Sequence, residues 1–261
     1  MPRIHASVLA FAAALTLPAA LTAEPAVLSL ARAYLGPQSS LDAIQSVRYT
    51  GSLDRLDPDS ASKAAVHGTI DMVFAKPLRQ RQKIVGPKTT LVTVLDGYDA
   101  WELLSDNAGV ASPMLRWLTV NDVRNLRSSA WENLYYYSQP EGGTVEDMGP
   151  ATVDGVECER VDFTHDPDSV YRRYFDRDTG RLVLTVRGTE SIRESGEIRV
   201  EGIRFPKTVV STTRMPSGKD VVATATFDHI SVNEPLPADF FASPSMVPAP
   251  AAAPAATPQA K

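Results

Sequence analysis

The sequence predicts a mainly β protein with helices, an α+β chain of about ten antiparallel strands. Three observations carry this. From Val47 onward apolar residues recur with period two, as Val47, Tyr49 and Leu53 do against Arg48, Thr50 and Ser52. Turn signals separate such runs: Asp96-Gly97, Asp154-Gly155 and Arg177-Asp178-Thr179-Gly180. Hairpins of this kind make their strands antiparallel. The helical period is confined to a short start and one central insertion.

Taken in order, the chain opens with Arg3 and then an uncharged stretch from Ala6 to Thr22, with small residues before Ala23. This predicts a secretory signal peptide, residues 1–23, cleaved after about Ala23. Ser7, Thr16 and Pro18 interrupt the run, which falls short of the ~20 apolar residues of a membrane span. The folded domain is predicted over 24–244. Ala26 to Leu35 reads as a helix with Val27, Leu30, Ala31 and Tyr34 on one face, stopped by Gly36-Pro37. Ser39 or Ser40 is placed to cap a second short helix, Leu41 to Gln45. After the Val47 strand, Leu56 to Ala64 reads as a polar turn. Val66 to Ala75 directs Ile70, Met72 and Phe74 to one side. Leu78 to Val85, Thr89 to Leu95 and Tyr98 to Leu104 follow as strands.

Trp117 to Tyr137 carries Leu118, Val120, Val123, Leu126, Trp131 and Leu134 at mostly helical spacings, with Thr119 or Asn121 available as cap. Strands resume at Thr144–Val153, Val156–Thr164, Val170–Asp176, Arg181–Arg187, Ile192–Glu201, Ile203–Arg214 and Asp220–Val232. Asp239-Phe240-Phe241 closes the domain. Residues 245–261 are almost only Ala and Pro, which predicts a disordered tail. A long alternating sheet must close, curl or pack on something. The helical insertion is a natural cover for the mouth of a curled sheet.

Composition narrows the function. The chain has 261 residues, 26 Lys plus Arg against 31 Asp plus Glu, and a net charge of -5. That argues against a nucleic-acid binder. One cysteine excludes an internal disulfide, and Cys158 lies in an alternating strand pattern. His67, His165 and His229 lack the short spacings of a zinc site. Asp176-Arg177-Asp178-Thr179-Gly180 opens like a calcium loop but lacks its third ligand position and closing Glu, so a hairpin turn explains it better. No nucleophile elbow, Walker or Rossmann pattern is present. Glu157 and Glu159 share one side of a strand and read as a solvated face. No catalytic residue, metal or cofactor is assigned, and the chain is not expected to be an enzyme. What stands out is apolar: Met72, Phe74, Trp101, Met114, Trp117, Trp131 and Tyr135-Tyr136-Tyr137. They are either ordinary core or the lining of an open pocket for a flexible apolar guest.

Four stretches together resemble the LolA/LolB-like outer-membrane lipoprotein-sorting family. The first runs from Leu35-Gly36-Pro37-Gln38 through Ala43-Ile44 to Tyr49-Thr50-Gly51. The second is Asp96-Gly97-Tyr98-Asp99-Ala100-Trp101, and the third Tyr174 to Leu182 around Asp178-Thr179-Gly180. The last pairs Phe205-Pro206-Lys207-Thr208-Val209 with Asn233-Glu234-Pro235-Leu236-Pro237-Ala238-Asp239-Phe240-Phe241. The resemblance implies a half-open antiparallel β-barrel around an apolar cavity with a helical lid. It also implies a periplasmic carrier that holds acyl chains of a lipoprotein or lipid, in outer-membrane lipoprotein sorting or lipid transport. Inner- and outer-membrane sorting components would be its partners. The expected lining is Tyr49, Ile70, Met72, Phe74, Trp101, Met114, Trp117, Leu118, Leu182 and Leu184. The alternative is an envelope sensor or protein-interaction module on the same fold.

Overall fold

The computed structural model describes residues 24–56 and 65–244. The predicted signal peptide, residues 57–64 of the polar turn and the Ala/Pro tail lie outside the described residues. Two helices come first, α1 (Ala26–Leu35) and α2 (Gln38–Ala43). Six strands follow: β1 (Ser46–Leu56), β2 (Val66–Ala75), β3 (Arg79–Val85), β4 (Thr89–Asp96), β5 (Asp99–Asp106) and β6 (Met114–Trp117). Helix α3 (Val120–Leu134) separates them from β7 (Thr144–Val153), β8 (Val156–Asp166), β9 (Ser169–Asp176), β10 (Leu182–Arg187) and β11 (Glu190–Ser195). The chain ends with β12 (Ile198–Val200), β13 (Ile203–Phe205), β14 (Thr208–Arg214) and β15 (Asp220–Val232).

Alternating strands bury one face by pairing side to side. Thirteen do so in a single sheet, in the order β6-β5-β4-β3-β2-β1-β15-β14-β11-β10-β9-β8-β7, while β12 and β13 form a separate pair. Within the large sheet every neighbouring pair is antiparallel. The strand number of about ten is therefore corrected. The long runs Ile192–Glu201 and Ile203–Arg214 are each cut in two, the first around Gly196 and the second at Pro206, which has no N–H to give a ladder. Strand β6 was not expected at all. The sheet is open, as a half-open barrel requires: β6 and β7 are its two edges and do not pair. It is nevertheless curled, because strands as distant in that order as β3 and β9 line one cavity. A bulge in β15 at Asp228, opposite Thr50 and Gly51 of β1, adds to the bend at the sheet's middle.

The topology dictates the lid. Since β6 and β7 are opposite edges, the chain between them must cross the sheet, and α3 makes that crossing, touching β2 to β5 on one side and β9 on the other. Thr119 starts the helix with a reciprocal cap: its Oγ1 accepts from Asp122 N at 3.3 Å, and Asp122 Oδ2 accepts from Thr119 N at 3.1 Å. At α2 the expected cap moves. Pro37 precedes the helix, and Ser39 and Ser40 lie within it.

The inner face is filled first. Leu41, Ile44, Phe74, Leu95, Leu134 and Ile203 belong to a buried cluster under α2 and α3. Leu28 and Ala31 of α1 pack on Val161, Phe163 and Phe175. Each fully buried Leu or Phe of this kind stabilises by roughly 1.5–3 kcal/mol. The outer face of β2, β4 and β5 has its own cover, where Phe241 of the closing turn packs on Val73, Val94 and Trp101. The Asp176–Gly180 segment is a hairpin turn, whose Asp176 Oδ1 accepts from Asp178 N and Thr179 N, both at 3.0 Å.

Two turn glycines separate backbone strain from packing. Gly180 (φ +74°) and Gly97 (φ +67°) are both left-handed. A Cβ on Gly180 would lie 2.4 Å from Leu30 C and 2.5 Å from Ala31 N of α1, whereas nothing lies within 4 Å of one on Gly97. Gly97→Ala is expected to cost only the conformational part, about 1 kcal/mol. Gly180→Ala adds overpacking against α1 and is expected to cost about 2–4 kcal/mol. Urea midpoints of the two variants check this, and equal losses would mean that α1 does not pack on the turn as described.

Candidate functional site

A cavity of about 350 Å³ lies inside the curl, beneath α3. This is within the ~300–1,000 Å³ typical of ligand sites. One wall is apolar. Tyr49 and Leu53 of β1, Ile70, Met72 and Phe74 of β2, and Phe205, Val209 and Phe227 beyond them line it. Their parity puts them inward, since Val73 and Ala75 of β2 face the outer cluster instead. Tyr49 anchors the wall, edge-on to Phe74 at 6.2 Å and to Phe205 at 6.0 Å, and 5.0 Å from Phe227.

The opposite wall is polar and comes from α3 and β9 to β11. Glu132 of α3 is nearly inaccessible, with 4% of its side chain exposed, and it meets two partners. Its Oε2 is 2.6 Å from Arg173 Nη1, an ion pair whose N–H is not aligned as a hydrogen bond. Its Oε1 is 2.6 Å from His165 Nε2. Ser169 Oγ donates to Ser128 Oγ of α3 at 2.9 Å, a second fastening of the helix to the sheet. Arg173 lies over the rings of Tyr137 (4.9 Å) and Phe163 (5.3 Å). Arg187 donates to Tyr171 Oη at 3.1 Å and to Glu190 Oε2 at 2.9 Å. Ser211 Oγ donates to Glu190 Oε1 at 2.5 Å.

Glu194 of β11 stands apart, with no hydrogen-bond or ion-pair partner among the described residues. It is exposed at the end of β11, on the rim of the cavity. Desolvation by the protein around it pushes its carboxyl above the ordinary carboxylate value, and Arg173 opposes the shift.

After α3 the chain must turn sharply to bring two tyrosine rings into the same cavity. Tyr136 (φ +44°) and Tyr137 (φ +66°) both take the left-handed conformation that disfavours side chains. Such residues cost of order 1–2 kcal/mol each. Burial of Tyr137, edge-on to Phe175 at 4.9 Å, offsets that cost. Desolvation raises both phenols well above the usual tyrosine value.

Of the ten residues expected to line a cavity, Tyr49, Ile70, Met72, Phe74 and Leu182 are brought together around this one. The other five lie elsewhere. Trp101 pairs with Val94 and shares its outward face, where its Nε1 donates to Phe241 O at 3.4 Å. Met114 and Trp117 sit on the edge strand β6 and are 58% and 60% exposed. Leu118 packs against the inner core rather than the cavity. Leu184 is turned away because β10 bulges between Leu182 and Leu184, so Thr185 and Arg187 take the inward positions. The polar wall escaped sequence reasoning. Its one signal is the strand Tyr171-Arg172-Arg173-Tyr174-Phe175, where Arg173 has the parity of the buried Tyr171 and Phe175.

No protein-family model matches the chain, and no curated protein sequence does. Solved structures do. One is the LolA superfamily protein NE2245 from Nitrosomonas europaea, at a TM-score of 0.54 and 14% identity, covering 83% of this chain and 96% of that one. Another is a DUF1329 family protein from Desulfovibrio piger, at a TM-score of 0.51 and 13% identity, covering 83% and 95%. The chain has a LolA-like fold.

Glu194 gives stability a pH dependence whose sign is fixed. Its folded value is raised above the ordinary 4.5, so the native state favours the neutral carboxyl. Its contribution is present at low pH and is lost as pH rises from about 4.5 through the folded value. Glu194→Gln stays neutral and is expected to be more stable than the parent at pH 7. The gain shrinks as pH falls from the folded value toward 4.5 and is gone below it, with a slope no steeper than about 1.4 kcal/mol per pH unit. Urea unfolding of both proteins between pH 4 and 8 checks this, because other groups cancel in the difference. A less stable variant at pH 7 would place the Glu194 charge in a favourable environment instead.

Proposed function

We propose that the protein is a periplasmic carrier that holds acyl chains of a lipid or lipoprotein in the cavity beneath α3. The observation that carries this reading is the apolar wall, a continuous concave face from Tyr49 through Met72 and Phe74 to Phe227. The LolA-like fold and the secretory character of the sequence's first residues support it. Each buried CH₂ contributes ~0.8 kcal/mol, so a chain needs only a loose apolar site to leave water. Met72 suits such a site, being flexible and polarizable. The curled sheet supplies the site, and α3 supplies a cover that keeps water off the guest. Release needs no bond to break: it needs only a receiver of higher affinity.

Met72→Asp puts a charge in the middle of the apolar wall and is expected to weaken binding of a fluorescent fatty-acid analogue by at least about 100-fold. Met114→Asp, on the exposed edge strand, is expected to leave binding within about twofold. Circular dichroism verifies that both variants stay folded. Lipid extraction and native mass spectrometry of protein purified without detergent identify a co-purified guest. Equal binding by the parent and Met72→Asp would move the site elsewhere. An empty parent that takes up no probe would replace the carrier by a module whose partner is a protein.

A further inference from the structure

The cavity has hydrogen-bonding capacity left over. Gln80 is 4% exposed, lines the cavity and has no partner for Oε1. Arg173 is 7% exposed and has none for Nε. Tyr136 Oη and Arg204 Nε are buried without partners, and the exposed Glu194 borders the same space. Buried polar groups are ordinarily satisfied, so four leftovers around one cavity describe what would enter it.

The charges narrow the choice. Arg173 is committed to Glu132, Arg187 to Glu190, and Arg204 to Glu197. The Nε groups of Arg173 and Arg204 are open to an acceptor, but each guanidinium is already neutralised by a carboxylate. A carboxylate or phosphate head would therefore gain no net positive charge and would lie against Glu194. An ammonium head would satisfy Glu194 and Gln80 Oε1 but bring a further donor to Arg173 Nε. Neighbouring hydroxyl groups donate to Glu194 and to Gln80 Oε1 and accept from Arg173 Nε. We infer that the polar wall is a head-group subsite for an amphiphile whose head is uncharged and hydroxyl-bearing, a polyol or sugar, with its chain along the apolar wall. The inference rests on the reading of the cavity as a lipid site.

The test is competition in the full mature protein. An uncharged naphthylamine probe fills the cavity, and decyl glucoside, decanoate or decylamine displaces it below the micelle concentration. Decyl glucoside is expected to win by at least about tenfold over both charged decyl compounds. Glu194→Leu is expected to reduce that advantage to within about threefold, and Gln80→Leu gives a second reading should the first variant not fold. Decanoate or decylamine matching the glucoside in the parent would overturn the subsite, as would an undiminished advantage in both variants. Probe binding without head-group preference would sink the subsite and leave the apolar site standing. A parent that does not bind the probe would remove both.

Discussion

Strands β1 and β15 pair over ten residue pairs at the middle of the sheet, and this long-range contact joins two meanders that are otherwise local. Strands β1 to β6 fold back and forth on one side of it, and β7 to β11 with β14 and β15 on the other. Once the two are zipped together, the outermost strands of both become the edges of one sheet. The connection between those edges then has nowhere to run except over the concave face. The cavity, its cover and its two unlike walls all follow from that constraint. The apolar wall belongs to the β1–β2 side and its neighbours, the polar wall to β9–β11. Folding is expected to wait on this pairing, since it closes the longest loop in the chain.

The polar wall is hard to explain as a stabilising device. Replacing buried ion pairs by well-packed apolar residues is often neutral or favourable, while removing one partner alone costs about 3–5 kcal/mol. Glu132 with Arg173 and His165 is of this kind, and it sits across from a wall of Tyr, Phe and Met that could have been continued around the cavity. Tyr136 and Tyr137 add backbone strain at the same place. Strain, buried charge and unpartnered polar atoms gathered at one cavity are what a site of recognition leaves in a fold.

Much of the architecture was legible because it is local. Period-two alternation and Asp-Gly turns marked β4–β5 and β7–β8, and of the two caps the sequence offered for α3, Thr119 and Asn121, the first is used. The apolar wall was half legible. Ile70, Met72 and Phe74 share a parity that only needed one of two faces to be chosen. Trp101 shows where that reasoning ends, because both faces of β5 are covered and an aromatic residue fits either. Leu184 shows another limit: a single bulge in β10 exchanges the inward and outward positions without any change in composition. The Glu132–Arg173–His165 cluster was beyond reach, since it joins residues 33 and 41 positions apart whose meeting depends on the whole curl.

The way α3 is tied down sets how the cavity can open. Only Leu118 and Thr119 separate it from edge strand β6, while residues 135–143 separate it from edge strand β7. The first tether is short and capped, the second longer and held by the buried Tyr137. The element therefore behaves less like a door on one hinge than like a strap, sewn at one end and buckled at the other by Glu132. A sewn end also fixes rotation. Losing one residue from the two-residue link would turn the helix by roughly 100°, taking Glu132 off Arg173 and His165 while β6 and β7 kept their pairings. The length of that link is thus the gauge that keeps the buckle in line with its catch.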